Sequence, residues 1–305
     1  MIKNFLGIDS TDQKILNILL ESTRQTYNQI AKKAKLSKEV VRYRIKNLEK
    51  QGILKGYRTL IDYKSLNLQI YELLIKLKKP NEEKERKFIE FLKSSDILGY
   101  GLCLGEFDFN IVLTAENNEK IKEFIDQVKK VLEEDIESID VLININEEYV
   151  FHNKIKIRKN IKLTENEKKL IRIMATNASY SLKEISYKIN RSYQFIVKTL
   201  KKLENSGIIK AYYPDIMFKK IGLSDYSIFI KAKYMNEKDR QIFREYLTHE
   251  PSIFWYVEYI GKYDYGIEVI VKNSDEFREK LNNLISRFGN KILEIKHTYI
   301  KLSKK

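Results

Sequence analysis

The sequence predicts an α+β protein in which two small helical heads alternate with two β-α-β-β-α-β modules. Three observations predict it: a long internal repeat, helical spacing bounded by capping residues, and short strand-like runs set in a fixed order between helices. The repeat is the strongest. Residues 37–57 read SKEVVRYRIKNLEKQGILKGY and residues 192–212 read SYQFIVKTLKKLENSGIIKAY. Ile18/Ile173, Ser37/Ser192, Lys46/Lys201, Leu48/Leu203, Glu49/Glu204, Gly52/Gly207, Ile53/Ile208, Lys55/Lys210 and Tyr57/Tyr212 coincide at a constant offset of 155. A unit of this length present twice is a duplicated domain pair, not a solenoid of short repeats.

Residues 12–20 carry helical spacing through Ile15, Ile18 and Leu19. Residues 27–33 form a second short helix, with Thr26 as N-cap and Gln29 completing a capping box; Ser181 and Glu184 repeat the device in the second copy. After a turn at 34–36, Ser37 caps a third helix that runs to about Gln51, and Gly52 stops it at C′. Residues 53–61 read as an extended wing or a connecting strand. Three short helices, a tight turn between the second and third, and a trailing strand make a winged helix-turn-helix. The second copy occupies residues 163–215, where Pro214 bars any continuing helix.

After each head the period changes. Strand-like residues 70–77 precede an amphipathic helix at 82–94, strands at 97–104 and 109–115 flank the turn GEFD, and a helix at 119–134 leads to a strand at 136–145. This β-α-β-β-α-β order is ferredoxin-like. It recurs at 226–233, 238–248, 253–260, 265–271, 275–288 and 292–302, around the turn GKYD. The expected division is therefore winged helix-turn-helix 1 at 1–62, ferredoxin-like domain 1 at 63–150, a linker at 151–162, winged helix-turn-helix 2 at 163–217, and ferredoxin-like domain 2 at 218–305. Residues 146–161 hold no glycine or proline, so the joint is not a floppy tether. Lys154 to Arg158 alternates charged and apolar residues, and part of the joint reads as a pairing strand. Each module has a strand edge and a hydrophobic face that call for a partner. The linker length permits pairing of the two modules inside the chain and equally permits exchange with a second chain.

Composition narrows the function. The chain has 305 residues, 43% hydrophobic residues and a net charge of +15. It is globular, and the charge points to a polyanion such as nucleic acid, or to a Lys-rich AT-rich genome. Cys103 is the single cysteine, which excludes an intramolecular disulfide or a cysteine zinc cluster and fits a reducing cytosol. The N-terminus is too short and polar for a signal peptide, and no apolar run reaches membrane-spanning length. A cytoplasmic protein is expected. His152, His249 and His297 are isolated, and no Walker A, GxGxxG or GxSxG motif occurs. No catalytic residue, metal site or cofactor is expected.

Three stretches together, IDSTDQKILNILLE, SKEVVRYRIKNLEKQGILKGYRTLID and GEFD between two strands, resemble the Lrp/AsnC (feast/famine) transcription regulators. The resemblance covers residues 8–149 and, more loosely, 163–302. It implies an N-terminal DNA-binding head, a ferredoxin-like effector and assembly domain, and self-association through that domain. Two such units in one chain depart from the usual pattern of the family. In the third helix Val41, Ile45 and Leu48 form one buried face, leaving Lys38, Glu39, Arg42, Tyr43 and Lys46 on others. Arg42 can address guanine O6/N7 or a phosphate, Lys38 and Lys46 suit phosphates, and Tyr43 suits a phosphate or a thymine methyl. Arg44, at the edge of the buried face, reads as a DNA-backbone contact. In the second head Val197 replaces Arg42 and Thr199 replaces Arg44. Tyr193, Gln194, Lys198 and Lys201 remain, with Gln194 suited to adenine. That head reads either as a DNA contact or as an interface.

The turns Gly105-Glu106-Phe107-Asp108 and Gly261-Lys262-Tyr263-Asp264 resemble the G-x-aromatic-Asp turn near which the family places small effectors, often amino acids, at subunit contacts. The resemblance thus marks Gly105, Phe107, Asp108, Gly261, Tyr263 and Asp264 as effector or assembly residues. On their own terms both are plain hairpin turns. The expected function is a sequence-specific DNA-binding transcription regulator with double-stranded DNA as partner, a small effector such as an amino acid, and no membrane. The alternative is a siroheme decarboxylase-like tetrapyrrole enzyme, since those enzymes resemble the same family.

Overall fold

The computed structural model describes residues 8–21, 25–149, 163–176, 178 and 180–304; the predicted linker and His152 lie outside them. The first half contains α1 (Ser10–Glu21), α2 (Tyr27–Ala34), α3 (Lys38–Lys50), β1 (Leu54–Ile61), β2 (Gln69–Leu77), α4 (Glu82–Ser94), β3 (Gly99–Gly105), β4 (Phe109–Ala115), α5 (Asn118–Leu132) and β5 (Ile136–Tyr149). The second contains α6 (Glu165–Thr176), α7 (Leu182–Ile189), α8 (Tyr193–Asn205), β6 (Ile209–Ile216), β7 (Ser224–Ala232), α9 (Glu237–His249), β8 (Ile253–Ile260), β9 (Tyr265–Val271), α10 (Ser274–Phe288) and β10 (Ile292–Lys304). Among the described residues these elements form two compact units: one from those up to 66 with those from 163 to 222, the other from 67–149 with 223–304.

The first unit holds both helical heads. Their helices start where capping residues satisfy the free N–H groups of the first turn. Thr26 and Gln29 form a reciprocal capping box on α2, and Ser181 and Glu184 do the same on α7. Ser37 accepts from the Val40 N–H, and Ser192 from the Phe195 N–H. Helix α3 ends at Gly52 and α8 at Gly207, both at positive φ (65° and 79°), a conformation open to glycine at little steric cost. Val41, Ile45 and Leu48 are buried on one face of α3, and Ile196, Leu200 and Leu203 on the matching face of α8.

The segment expected to be a wing or a connecting strand is a connecting strand. β1 pairs antiparallel with β6, setting Thr59 opposite Tyr212 and Arg58 opposite Tyr213. Lone strands leave a row of backbone groups unpaired, and here the equivalent strand of the other head supplies the partners. The exchange is reciprocal. β1 packs on α6, while β6 packs on α1. The Asp62 N–H donates to the Ile208 carbonyl at 2.8 Å, and the Met217 N–H to the Ile53 carbonyl at 2.8 Å; the four residues are equivalent pairs in the repeat. Ile61 is buried in the core of the second head with Leu170, Ile185 and Leu200. The buried Thr59 hydroxyl donates to the Met174 carbonyl at 2.8 Å, and Arg58 pairs with Asp215 at 2.6 Å.

The second unit is an eight-stranded closed barrel in the order β10-β3-β4-β2-β5-β8-β9-β7. The order β-α-β-β-α-β occurs in it twice, and each half contributes four consecutive strands. One set of alternating side chains, including Tyr71, Leu73, Ile75 and Leu77 of β2, packs with residues of α4 and α5 such as Phe88 and Val128. Ile228, Ile230, Phe243 and Phe277 belong to the matching core under α9 and α10. The opposite faces meet inside the barrel, where Leu74, Phe107, Leu142, Phe229, Val257, Tyr259 and Tyr263 form a third core.

Pairing of the modules is therefore internal to the chain: β2, β7 and β8 share the core inside the barrel through Leu74, Phe229 and Val257. The ladders that close the barrel are β5 with β8 and β10 with β3. β2 lies between β4 and β5 and has no free edge. Only β3 and β5 of the first half, and β8 and β10 of the second, have edges left to pair, and closure removes all four. The same ladders carry β5 to Tyr149 and β10 to Lys304, beyond the ends that hydrophobic alternation marks.

Candidate nucleic-acid interface

The face of α3 opposite its buried stripe presents Lys38, Arg42, Tyr43 and Lys46, all exposed, with Tyr43 68% exposed. None of the four makes an ion pair or side-chain hydrogen bond among the described residues. Glu39, one turn before Tyr43, is exposed beside them. The sequence left one further basic residue out of the set: Lys35, at the left-handed C-cap of α2 (φ 56°) and exposed two residues before Ser37. A lysine in the tight turn ahead of the third helix is the signal that would have found it.

Arg44 does not belong with this face. Its guanidinium pairs with Asp9 and, at 3.5 Å, with Asp12, and its side chain is only 30% exposed. It ties α3 to the start of α1, whereas the sequence reading made it a DNA-backbone contact. The Asp12 backbone N–H, with Arg44, holds the Asp9 carboxyl below its ordinary range, while burial and the neighbouring Asp9 charge push Asp12 up. In the second head Glu167 stands at the position of Asp12, and its partner is Lys202, at 2.6 Å. Thr199, at the position of Arg44, is buried. Both heads keep an acid–base tie between first and third helix but draw the base from different positions.

On α8, Tyr193, Gln194, Lys198 and Lys201 are exposed and Val197 is half-buried. These five line a shallow depression along one face of the helix. Lys201 matches Lys46, while Gln194 stands for Glu39, Val197 for Arg42 and Lys198 for Tyr43.

The G-x-aromatic-Asp turns are built into the barrel. Asp108 accepts from the Leu77 N–H at 2.8 Å and lies 3.4 Å from Lys76; Asp264 accepts from the Ala232 N–H at 2.8 Å and lies 3.3 Å from Lys231. Each carboxylate thereby anchors its turn to the end of β2 or β7. Gly105 (φ 129°) and Gly261 (φ 149°) run against the neighbouring module. A Cβ at Gly261 would lie 2.9 Å from the Val141 carbonyl, and one at Gly105 3.2 Å from the His297 carbonyl. Phe107 and Tyr263 meet edge-on inside the barrel at 6.2 Å, and Phe107 meets Phe229 at 5.5 Å.

His249 is exposed at the end of α9 with Nδ1 2.7 Å from the Glu245 carbonyl, and His297 lies on β10 against the Phe277 ring. Among the described residues no group of three or more His, Cys, Asp or Glu could hold a metal ion. No helix among them is long and apolar enough to cross a membrane.

A capped third helix with a free basic and aromatic face, set behind a tight turn, defines a DNA-reading head. The comparisons agree. A family model described as winged helix-turn-helix DNA-binding matches residues 8–55. An uncharacterized HTH-type transcriptional regulator of Pyrococcus furiosus is 30% identical over 126 residues, 41% of this chain and 81% of that protein. The HTH-type transcriptional regulator LysM of Sulfurisphaera tokodaii is 31% identical over 126 residues, 41% of this chain and 86% of that one. The chain therefore belongs to the HTH-type transcriptional regulators. Each of these relatives corresponds to less than half of the chain. Over its whole length the fold is similar to the crystal structure of the siroheme decarboxylase NirDL, with a TM-score of 0.63, 11% identity, and coverage of 96% of this chain and 92% of that one.

Proposed function

We propose that the chain is a tandem duplication, winged helix-turn-helix domains at 1–62 and 163–217 alternating with ferredoxin-like domains at 63–150 and 218–305, and that it regulates transcription in the cytoplasm by sequence-specific binding to duplex DNA. The observation that carries this reading is the free face of α3. Four side chains able to reach bases and phosphates, Lys38, Arg42, Tyr43 and Lys46, have no partner among the described residues. The net charge of +15 favours the same polyanion. Tyr193, Gln194, Lys198 and Lys201 form the second contact surface. The names of the relatives favour a regulator over an enzyme.

Phe107 and Tyr263, with the glycines and aspartates of their turns, serve assembly, since they fill and staple the barrel. A small effector such as an amino acid, which the family resemblance implies, would act by shifting this assembly or a further self-association. Light scattering and DNA titrations with and without amino acids test that part.

The central test is a binding titration on duplex DNA at several salt concentrations. Affinity should fall steeply as salt rises, and Arg42→Ala with Lys46→Ala should flatten that dependence. A chain that shows no salt-dependent binding but perturbs the absorbance of siroheme would overturn the regulator reading in favour of the tetrapyrrole enzyme.

A further inference from the structure

The two heads match in their caps, buried stripes and strand exchange and are unlike in what they show to solvent. The caps, the buried stripes and the reciprocal strand exchange match pair by pair. So does the basic residue one turn further on, Lys46 or Lys201. The differences gather on the exposed faces. Lys38 becomes Tyr193, Glu39 becomes Gln194, Arg42 becomes Val197 and Tyr43 becomes Lys198.

From these residues, and resting on the DNA-binding reading above, we propose that one chain recognises an asymmetric operator with two unlike half-sites. The half-site under α3 contains a G·C pair, read by Arg42 and Glu39. The half-site under α8 contains A·T, read by Gln194 and Val197.

The chemistry follows from the base edges of the major groove. Arginine forks onto guanine O6 and N7, and a glutamate accepts from the cytosine N4 amino group. Glu39 and Arg42 are three residues apart on a helix and so share a face. They are suited to the two members of one G·C pair, or to adjacent pairs. Glutamine forks onto adenine N6 and N7, and an aliphatic side chain packs on the thymine methyl. Gln194 and Val197 have the same three-residue spacing. Lys46 and Lys201, alike in both heads, suit phosphates, which position a protein on the duplex without reading sequence.

Symmetry explains why this chain is free to do so. A regulator assembled from two copies of one head must present the same side chains to both half-sites, and its operator is then palindromic. Here the two heads are different segments of one polypeptide. The β1–β6 ladder, the mutual Asp62–Ile208 and Met217–Ile53 hydrogen bonds and the buried Thr59–Met174 bond join them. Their separation is therefore set within one body, and the order of the two half-sites is set with it.

The experiment is selection of the full chain on a random duplex library at fixed salt, followed by sequencing. The expected motif is non-palindromic, with a preferred G·C position in one half and A·T in the other. Arg42→Ala, at an exposed position, should erase the preference in the G·C half alone, by about 5- to 150-fold per lost forked contact. Gln194→Glu with Val197→Arg should turn the A·T half toward the other and make the motif near-palindromic; circular dichroism checks that this variant folds. Two identical half-sites from the unaltered chain overturn the proposal while leaving DNA binding intact. So does a single half-site, or an Arg42→Ala variant weakened equally on all sequences. No enrichment above non-specific binding overturns it together with the sequence-specific reading on which it rests.

Discussion

Replacing Phe107 by alanine should unpin the barrel from inside. The side chain is 2% exposed and belongs to the core that both modules share. It meets the Phe229 and Tyr263 rings edge-on, and such pairs add about 0.5–1.5 kcal/mol each to plain burial. Phenylalanine-to-alanine changes in cores cost about 3–5 kcal/mol, the upper end applying where the walls cannot collapse into the void. Here the wall is a ring of eight hydrogen-bonded strands, so a loss of about 4 kcal/mol is expected. The chain reports on this itself. Trp255, its only tryptophan, packs against the same cluster, so urea unfolding followed by tryptophan fluorescence reads this unit. With a slope of about 2 kcal/mol per molar urea, the midpoint should fall by about 2 M. Tyr43→Ala, on the exposed face of α3, should leave that transition in place. A Phe107→Ala loss below about 1 kcal/mol would refute the reasoning, because the interior could not then be a packed core.

Four further outcomes are expected. The Tyr263 hydroxyl is buried without a partner among the described residues, and burial pushes its pKa up; Tyr263→Phe should be neutral or stabilising by up to about 1 kcal/mol in the same urea assay, since no hydrogen bond is lost. Burial alone would raise the Glu167 carboxyl, yet Lys202 and the Thr164 N–H hold it below its ordinary value; the stability it contributes is complete above the unfolded carboxyl's pKa and is lost as pH falls through the lower folded one. Glu167→Gln should therefore weaken the second head at about pH 7, and the difference should shrink as pH falls below the ordinary carboxyl range, read from circular dichroism melts. Burial pushes the Cys103 thiol up to about 12, so the native chain should resist thiol reagents that modify it freely in urea. Arg44→Ala should lower the stability of the first head, whereas Arg42→Ala should lower DNA affinity at unchanged stability; the opposite pattern would return Arg44 to the DNA-facing set.

The local structure was legible because its causes are local. A serine or threonine N-cap and helical spacing of apolar residues placed α2 and α3 within a residue or two, and the capping box of Ser181 and Glu184 marked the start of α7. Alternation with short turns gave β4, β8 and β9 their observed ends. The exposed face of α3 followed from the same periodicity, since residues off the buried stripe of a surface helix face water.

Tertiary structure decided what local signals do not encode. Arg44 sits at the edge of the stripe, and only the crossing of α3 over the start of α1 brings it to Asp9 and Asp12. Asp108 and Asp264 look like turn residues in the sequence; the fold shows that they cap the ends of β2 and β7. Above all, strand partners had to be seen. A strand's N–H and C=O groups are the same whatever its side chains, so β1 could have paired within its own head and β5 could have stayed an edge. The sequence by itself determined the helices and strands and their order, through capping and periodicity. Which edges joined, β1 to β6, β5 to β8 and β3 to β10, was decided by three-dimensional packing, because only there do the free edges and apolar faces of the two copies meet.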